Sequence, residues 1–276
     1  MYRRVSSVLA VVLLVIAAGC VGGLDGAGAD EGGDGASDGA DGEGGDGSDG
    51  ASGDGPSASG DAALVENRTA LLRAAGSYTS VWEMRFTEDG ALAGRTTYTS
   101  AVDYAGERTN FRMEMVGDGE TRTDYETYYA DGERYQRIGD GDEATYSVGE
   151  FEFSPDTSLF SAEAQIYGAG ELDEFDAAGT ETFDGVTVTR YERTERPTWL
   201  SGQMVAEDGV RWDEFTYTVL VDGDGLVRSE SWSAAGVDED DVAVEMAFSY
   251  TVTGVGSTTV EEPDWAGAAR ESAAAQ

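Results

Sequence analysis

Val242-Ala243-Val244-Glu245-Met246-Ala247-Phe248-Ser249-Tyr250-Thr251-Val252 is the run that decides the fold. Val242, Val244, Met246, Phe248, Tyr250 and Val252 recur at period two, with small or polar residues between them. Side chains alternate across a strand, so this pattern puts one face in a core and leaves the other wet. A sheet of that kind is antiparallel, because parallel strands are buried on both faces and read as continuous apolar runs.

The same alternation recurs on either side. Trp82, Met84 and Phe86 face one way, with Glu83 and Arg85 opposed; Phe111, Met113 and Met115 do so against Arg112 and Glu114; Phe215, Tyr217, Val219 and Val221 alternate again. Further strands are expected at Thr96 to Val102, Tyr125 to Tyr129, Arg134 to Ile138, Thr180 to Phe183, Val186 to Thr194, Leu226 to Trp232 and, briefly, Thr258 to Val260. Asp131-Gly132 and Asp184-Gly185 are hairpin signals, and Asp222-Gly223-Asp224-Gly225 turns the chain between two strands. Asp61 caps a predicted helix from Ala62 to Ala75, with Leu64, Val65, Leu71, Leu72 and Ala75 on one stripe. Ser154-Pro155-Asp156 opens a second, with Leu159, Phe160, Ala162, Ala164, Ile166 and Tyr167 inside it, and a weak one follows Pro263-Asp264-Trp265. The expected class is α+β: one curved, mostly antiparallel sheet, a half-barrel, covered by two or three helices. So few helices over so long a sheet leave either a thin core or a cavity.

Upstream of the sheet the composition changes twice. Arg3 and Arg4, the apolar Val8 to Ile16 and the small Ala17, Ala18 and Gly19 have the shape of a signal peptide, too short to span a bilayer comfortably. Cys20 is the only cysteine and ends this segment, so no intramolecular disulfide can form. Residues 21–60 contain 16 Gly and 10 acidic residues, with no basic or aromatic residue. Such a stretch cannot bury enough apolar surface to offset its ordering entropy, and it reads as a tether with a reach of roughly 35 Å. The division is 1–19 signal peptide, 20–60 modified Cys and acidic Gly-rich tether, and 61–276 a single β-rich domain.

The 276 residues include 55 acidic and 17 basic ones, for a formal net charge of −38; there is no Lys and no His. Clustered cations for a phosphate backbone are missing, so a nucleic-acid partner is not expected. Self-repulsion at this charge is severe in dilute salt and screened where the Debye length falls to roughly 3 Å, which reads as adaptation to molar salt. A cation sponge or a site for a basic partner is the other reading of the acidity.

Without His, and with Cys20 alone at the amino terminus, nucleophile–His systems and ordinary zinc sites are removed. There is no phosphate loop of the P-loop type. A carboxylate pair is conceivable among so many acids, but no pair stands out, so no enzyme, cofactor or metal is expected. Asp222-x-Asp224 and Asp238-Glu239-Asp240-Asp241 resemble calcium ligands only in part and read equally as turns. Asn67-Arg68-Thr69 is an N-glycosylation sequon. Trp82, Met84, Phe86, Phe111, Met113, Met115, Tyr217, Met246, Phe248 and Tyr250 form either plain core or the lining of a cavity, where adaptable Met side chains suit varied apolar ligands.

Ala17-Ala18-Gly19-Cys20 resembles a lipobox, with Ala17 where Leu is usual. The resemblance implies a Cys20 carrying two lipid chains, since one anchors only marginally, and a domain held at the outer face of the cell membrane. Arg3-Arg4 suits the twin-arginine route while Ser6 and Ser7 do not, so either export route stays open. The layout of residues 62–265 resembles the half-barrel of LolA-like and mycobacterial LppX/LprG-like lipoprotein carriers. It does so most closely at Gly179-Thr180-Glu181 through Gly185 to Tyr191, at the Val221 to Trp232 hairpin and at Pro263-Asp264-Trp265. It is similar also to haloarchaeal lipoproteins of unknown function. The carrier resemblance implies an acyl chain bound beneath the curved sheet. Two functions stay open: a carrier of a hydrophobic ligand, and an envelope protein that meets other proteins and holds no small molecule.

Overall fold

A computed structural model describes residues 68–117, 120–139, 141–151, 172–195 and 210–275. Its centre is one sheet of 11 strands. These are β1 Ser77–Glu88, β2 Ala91–Asp103, β3 Arg108–Gly117, β4 Glu120–Ala130, β5 Glu133–Ile138 and β6 Thr145–Glu150 in the first half. The second half holds β7 Asp176–Phe183, β8 Val186–Arg193, β9 Arg211–Asp222, β10 Val227–Val237 and β11 Ala243–Thr253. The order is β6-β5-β4-β3-β2-β1-β11-β10-β9-β8-β7. Every pairing is antiparallel, so two meanders are joined where β1 meets β11. The sheet is open, with β6 and β7 as its edges.

The turns follow from backbone sterics. Asp89-Gly90, Asp131-Gly132 and Asp184-Gly185 each place both residues at positive φ, the two-residue turn whose twist matches a hairpin. Asp222 Oδ1 accepts the Asp224 and Leu226 amides, both at 3.0 Å, and Asp238 Oδ1 accepts those of Asp240 and Val242, both at 2.9 Å. The two acidic turns that resembled calcium ligands therefore spend these oxygens on their own backbone. Bulges at Phe86/Thr87, Met115/Val116, Ala177/Gly179 and Ala235/Gly236 bend and twist the strands. At the last of these a Cβ on Gly236 would lie 2.2 Å from the Arg211 carbonyl oxygen. Backbone cannot swing aside, so Gly236→Ala is expected to part the β9–β10 end and destabilise by about 1–3 kcal/mol in denaturant unfolding. An unchanged midpoint would contradict this packing.

Two cores lie on opposite faces. The larger one, on what we call the inner face, gathers Trp82, Tyr98, Phe111, Tyr217, Trp232 and Phe248, together with Leu72. Leu72 comes from α1, helical at residues 68–75, which ends at Gly76 (φ 85) and doubles back over the start of β1. Leu71 and Ala75 are half-buried. The smaller core joins Tyr128, Tyr135 and Val260 to Trp265, Ala266 and Ala269. The last two belong to α2, Ala266–Ala274. Tyr128 pairs with Asn110 and Tyr135, at positions that alternate with the inner-face residues, so this core sits on the outer face. Arg270 anchors it, bonding Glu262 at 2.7 and 2.8 Å with its guanidinium 4.8 Å from the Tyr135 ring.

Several expectations change. Among the described residues there are two α-helices, on opposite faces, so a cover of two or three is too many; the inner face carries α1 and the 3-10 turn Leu172–Glu174, whose neighbour Phe175 packs on Tyr217. Thr258 to Val260 is not a strand: the chain leaves the sheet at Gly254 (φ 60) and Gly256 (φ 75), and Val260 is buried in the outer core without a ladder partner. β6 was not expected, because only Tyr146 and Val148 interrupt its polar residues. The predicted helix after Ser154 and the start of the one after Asp61 lie outside the described residues, as do residues 1–60.

Candidate functional site

The register brings all ten residues of the aromatic and Met set to the inner face. Trp82 stands opposite Tyr250, Met84 opposite Phe248 and Phe86 opposite Met246. Trp82, Met84 and, across β2, their counterparts Tyr98 and Thr96 lead to Met113 and Met115. Ser80 and Ser100 lead in the same way to Phe111, and Trp232 faces both Phe248 and Tyr217. Edge-on contacts of Trp82 with Tyr98 and Phe248, at 4.9 and 5.7 Å between centroids, knit the centre of the face. Stacking of Trp232 on Phe248 at 5.9 Å continues it.

Burial divides this set in two. Trp82, Phe111, Tyr217, Met246, Phe248 and Tyr250 are buried and serve as core. Met84, Phe86, Met113 and Met115 are only half-buried. These four flank β2: small Thr96 lies between Met84 and Met115 and Gly94 lies beside Phe86, while Met113 stands opposite the larger Tyr98. Small residues on the middle strand and long ones on its neighbours make a trough along β2. Its walls stand two strand spacings apart, about 10 Å, the width of a single alkyl chain with its contacts. Tyr98 and Trp82 close one end of it. Beyond β3 the apolar face continues through Tyr125 to Ile138, whose side chain is 53 % exposed. Gly94 and Thr96 have no apolar signature in the sequence, being the small residues of the floor.

Polar groups are buried on the same face. Glu230, 0 % exposed, lies between Tyr250 and Val219 and accepts a hydrogen bond from the Tyr217 hydroxyl. Arg68, on α1, places its guanidinium 4.2 Å from the centroid of the Tyr250 ring. Burial, followed by the neighbouring Tyr104 and Tyr250, pushes the Tyr78 hydroxyl well above the usual phenol range, so it stays protonated. The outer face is different in kind. Arg95–Glu114 at 3.1 Å, Arg112–Asp124 at 3.2 Å and Arg137 with Asp124 and Glu126, both at 3.3 Å, form a ladder of charges across β2 to β5. Among the described residues no group of three or more acidic, His or Cys side chains is placed to hold a metal, and none of the helices is long and apolar enough to cross a membrane. Cys20 and Asn67 lie outside the described residues; Arg68 and Thr69 of the sequon are buried.

A family model described as a family of unknown function (DUF7537) matches residues 4–269, spanning the amino-terminal apolar run, the acidic tether and the sheet. No curated protein matches the chain. Among solved structures, a LolA superfamily protein from Nitrosomonas europaea aligns over 74 % of this chain and 94 % of its own at 10 % identity. Its TM-score is 0.23, a superposition that carries no argument about fold or ligand.

Proposed function

We propose that this protein, which belongs to the family of unknown function DUF7537, is a lipid-anchored lipoprotein at the outer face of the cell membrane that binds a hydrophobic, lipid-like ligand without covalent chemistry. The trough along β2 carries this reading. Met84, Phe86, Met113 and Met115 are large, apolar and half-buried at once, on the same sheet face as a packed aromatic core. An alkyl chain laid between them would lose its own hydration and complete theirs. Each methylene buried is worth about 0.8 kcal/mol, and unbranched Met side chains adjust to chains of different shape. Anchoring rests on the lipobox-like Ala17-Ala18-Gly19-Cys20, and the acidic tether would hold the sheet clear of the membrane.

Native mass spectrometry with lipid extraction, on protein purified from its host in molar salt, tests the binding. A stoichiometric co-purifying lipid is the expected result. A ligand-free protein that also fails to bind a hydrophobic dye would favour an envelope protein working through its surfaces. The exposed edge strand β7 is the feature that would serve such a role.

The net charge of −38 makes a separate prediction. Lowering salt from about 1 M to about 0.1 M lengthens screening from roughly 3 to 10 Å and restores repulsion among surface carboxylates. The thermal midpoint, followed by circular dichroism, is expected to fall with salt. A midpoint indifferent to salt would remove the reading of the acidity as salt adaptation.

A further inference from the structure

The position of Arg68 points to the chemistry of the ligand's head. Its side chain is 2 % exposed, and Nε, Nη1 and Nη2 make no hydrogen bond. Its contact is with the face of the Tyr250 ring, 4.2 Å away. A guanidinium removed from water is costly unless its donors are met, and five N–H groups in a rigid fork are built for an oxyanion. Glu230 is the carboxyl group beside Tyr250 in the ladder, and one of its oxygens accepts the Tyr217 hydroxyl.

Two further buried donors stand in the same place without a hydrogen-bond partner, the Tyr250 hydroxyl and the Trp82 indole N–H. They are cross-strand neighbours, and Tyr78, close enough to feel the Arg68 charge, stays neutral. Three buried donor groups without a hydrogen-bond partner, Arg68, Tyr250 and Trp82, thus gather at the β1–β11 joint beneath α1, with the Glu230 carboxyl, which takes the Tyr217 hydroxyl, next to Tyr250 in the ladder. The trough begins on the other side of Trp82, so an apolar chain and a charged head can be held by adjoining parts of one face.

We propose that Arg68, with Tyr250 and Trp82, binds the oxyanion head, carboxylate or phosphate, of an amphiphile whose chain lies along β2. This rests on the trough being a ligand site, and the experiment must separate the two. The full chain, in molar salt, is titrated with hexadecanoate, hexadecyl phosphate, hexadecanol and hexadecyltrimethylammonium by tryptophan fluorescence, alongside Arg68→Met and Arg68→Lys variants. A buried pair is little screened by salt, so the comparison remains valid there. Native protein is expected to bind at least one anion about tenfold or more tighter than the alcohol and to disfavour the cation. Arg68→Met is expected to lose that preference while still binding the alcohol; Arg68→Lys retains a part of it. Which anion is preferred distinguishes a fatty-acid from a phospholipid source. Equal binding of anion, alcohol and cation to native protein would overturn the role of Arg68 and leave the trough standing. Binding of none of them would overturn both. The native-protein comparison decides the matter even if Arg68→Met fails to fold.

Discussion

Trp82→Ala is expected to destabilise the protein by about 3–5 kcal/mol, while Met113→Ala on the same face costs only about 1 kcal/mol. The difference comes from burial. Trp82 sits at the junction of the two meanders, packed edge-on against Tyr98 and Phe248 with Tyr250 opposite. Its removal opens a cavity that a two-sided aromatic cluster cannot close, and it weakens the β1–β11 joint that holds the halves together. Met113 is half-buried at the margin of the same core, so its loss removes less apolar contact than that of Trp82. Denaturant unfolding of both variants measures this directly. If Met113→Ala were as damaging as Trp82→Ala, the trough would be part of the core and the carrier reading would lose its support.

Tyr217→Phe is expected to cost about 1–3 kcal/mol, although it deletes a single oxygen. Glu230 is wholly buried and takes the Tyr217 hydroxyl as a donor, so removing it leaves a desolvated carboxyl group short of a bond. Glu230→Leu alone strands the hydroxyl in the same way. In the double variant neither partner is left unmet, and part of the loss should return. A thermodynamic cycle of the four proteins tests this. Purely additive losses would mean that the two side chains do not act as a pair.

How far the sequence could be read follows from the same physics. Strands β1, β3, β9 and β11 were legible because large apolar residues alternate in them, and their register then fixed the face of each. Asp131-Gly132 and Asp184-Gly185 mark two hairpins, and Asp89-Gly90 carries the same signal for a third. β2 was read as shorter than Ala91–Asp103, because Thr and Gly occupy the inner positions at its start. Those residues give the trough its depth, so the feature that makes a site also erased its apolar pattern.

The helices show the opposite difficulty. A weak helix after Trp265 was foreseen, but amphipathicity cannot say which side of a sheet it will choose. Val260 and Trp265 select the outer face by packing with Tyr128, Tyr135 and Tyr146. Arg68 had no distinguishing mark, since an Arg on an amphipathic helix ordinarily reaches water. Only the doubling back of α1 over β1 turns it inward.

The most direct test of the trough as the ligand site is the lipid content of native protein beside Thr96→Phe, both purified from the host in molar salt and both verified as folded. The bulky ring fills the trough from its floor, between Met84 and Met115. Native protein is expected to carry a stoichiometric lipid, and the variant to lose it or to bind about tenfold more weakly. Equal retention by both proteins would place the ligand elsewhere and contradict the trough as its site.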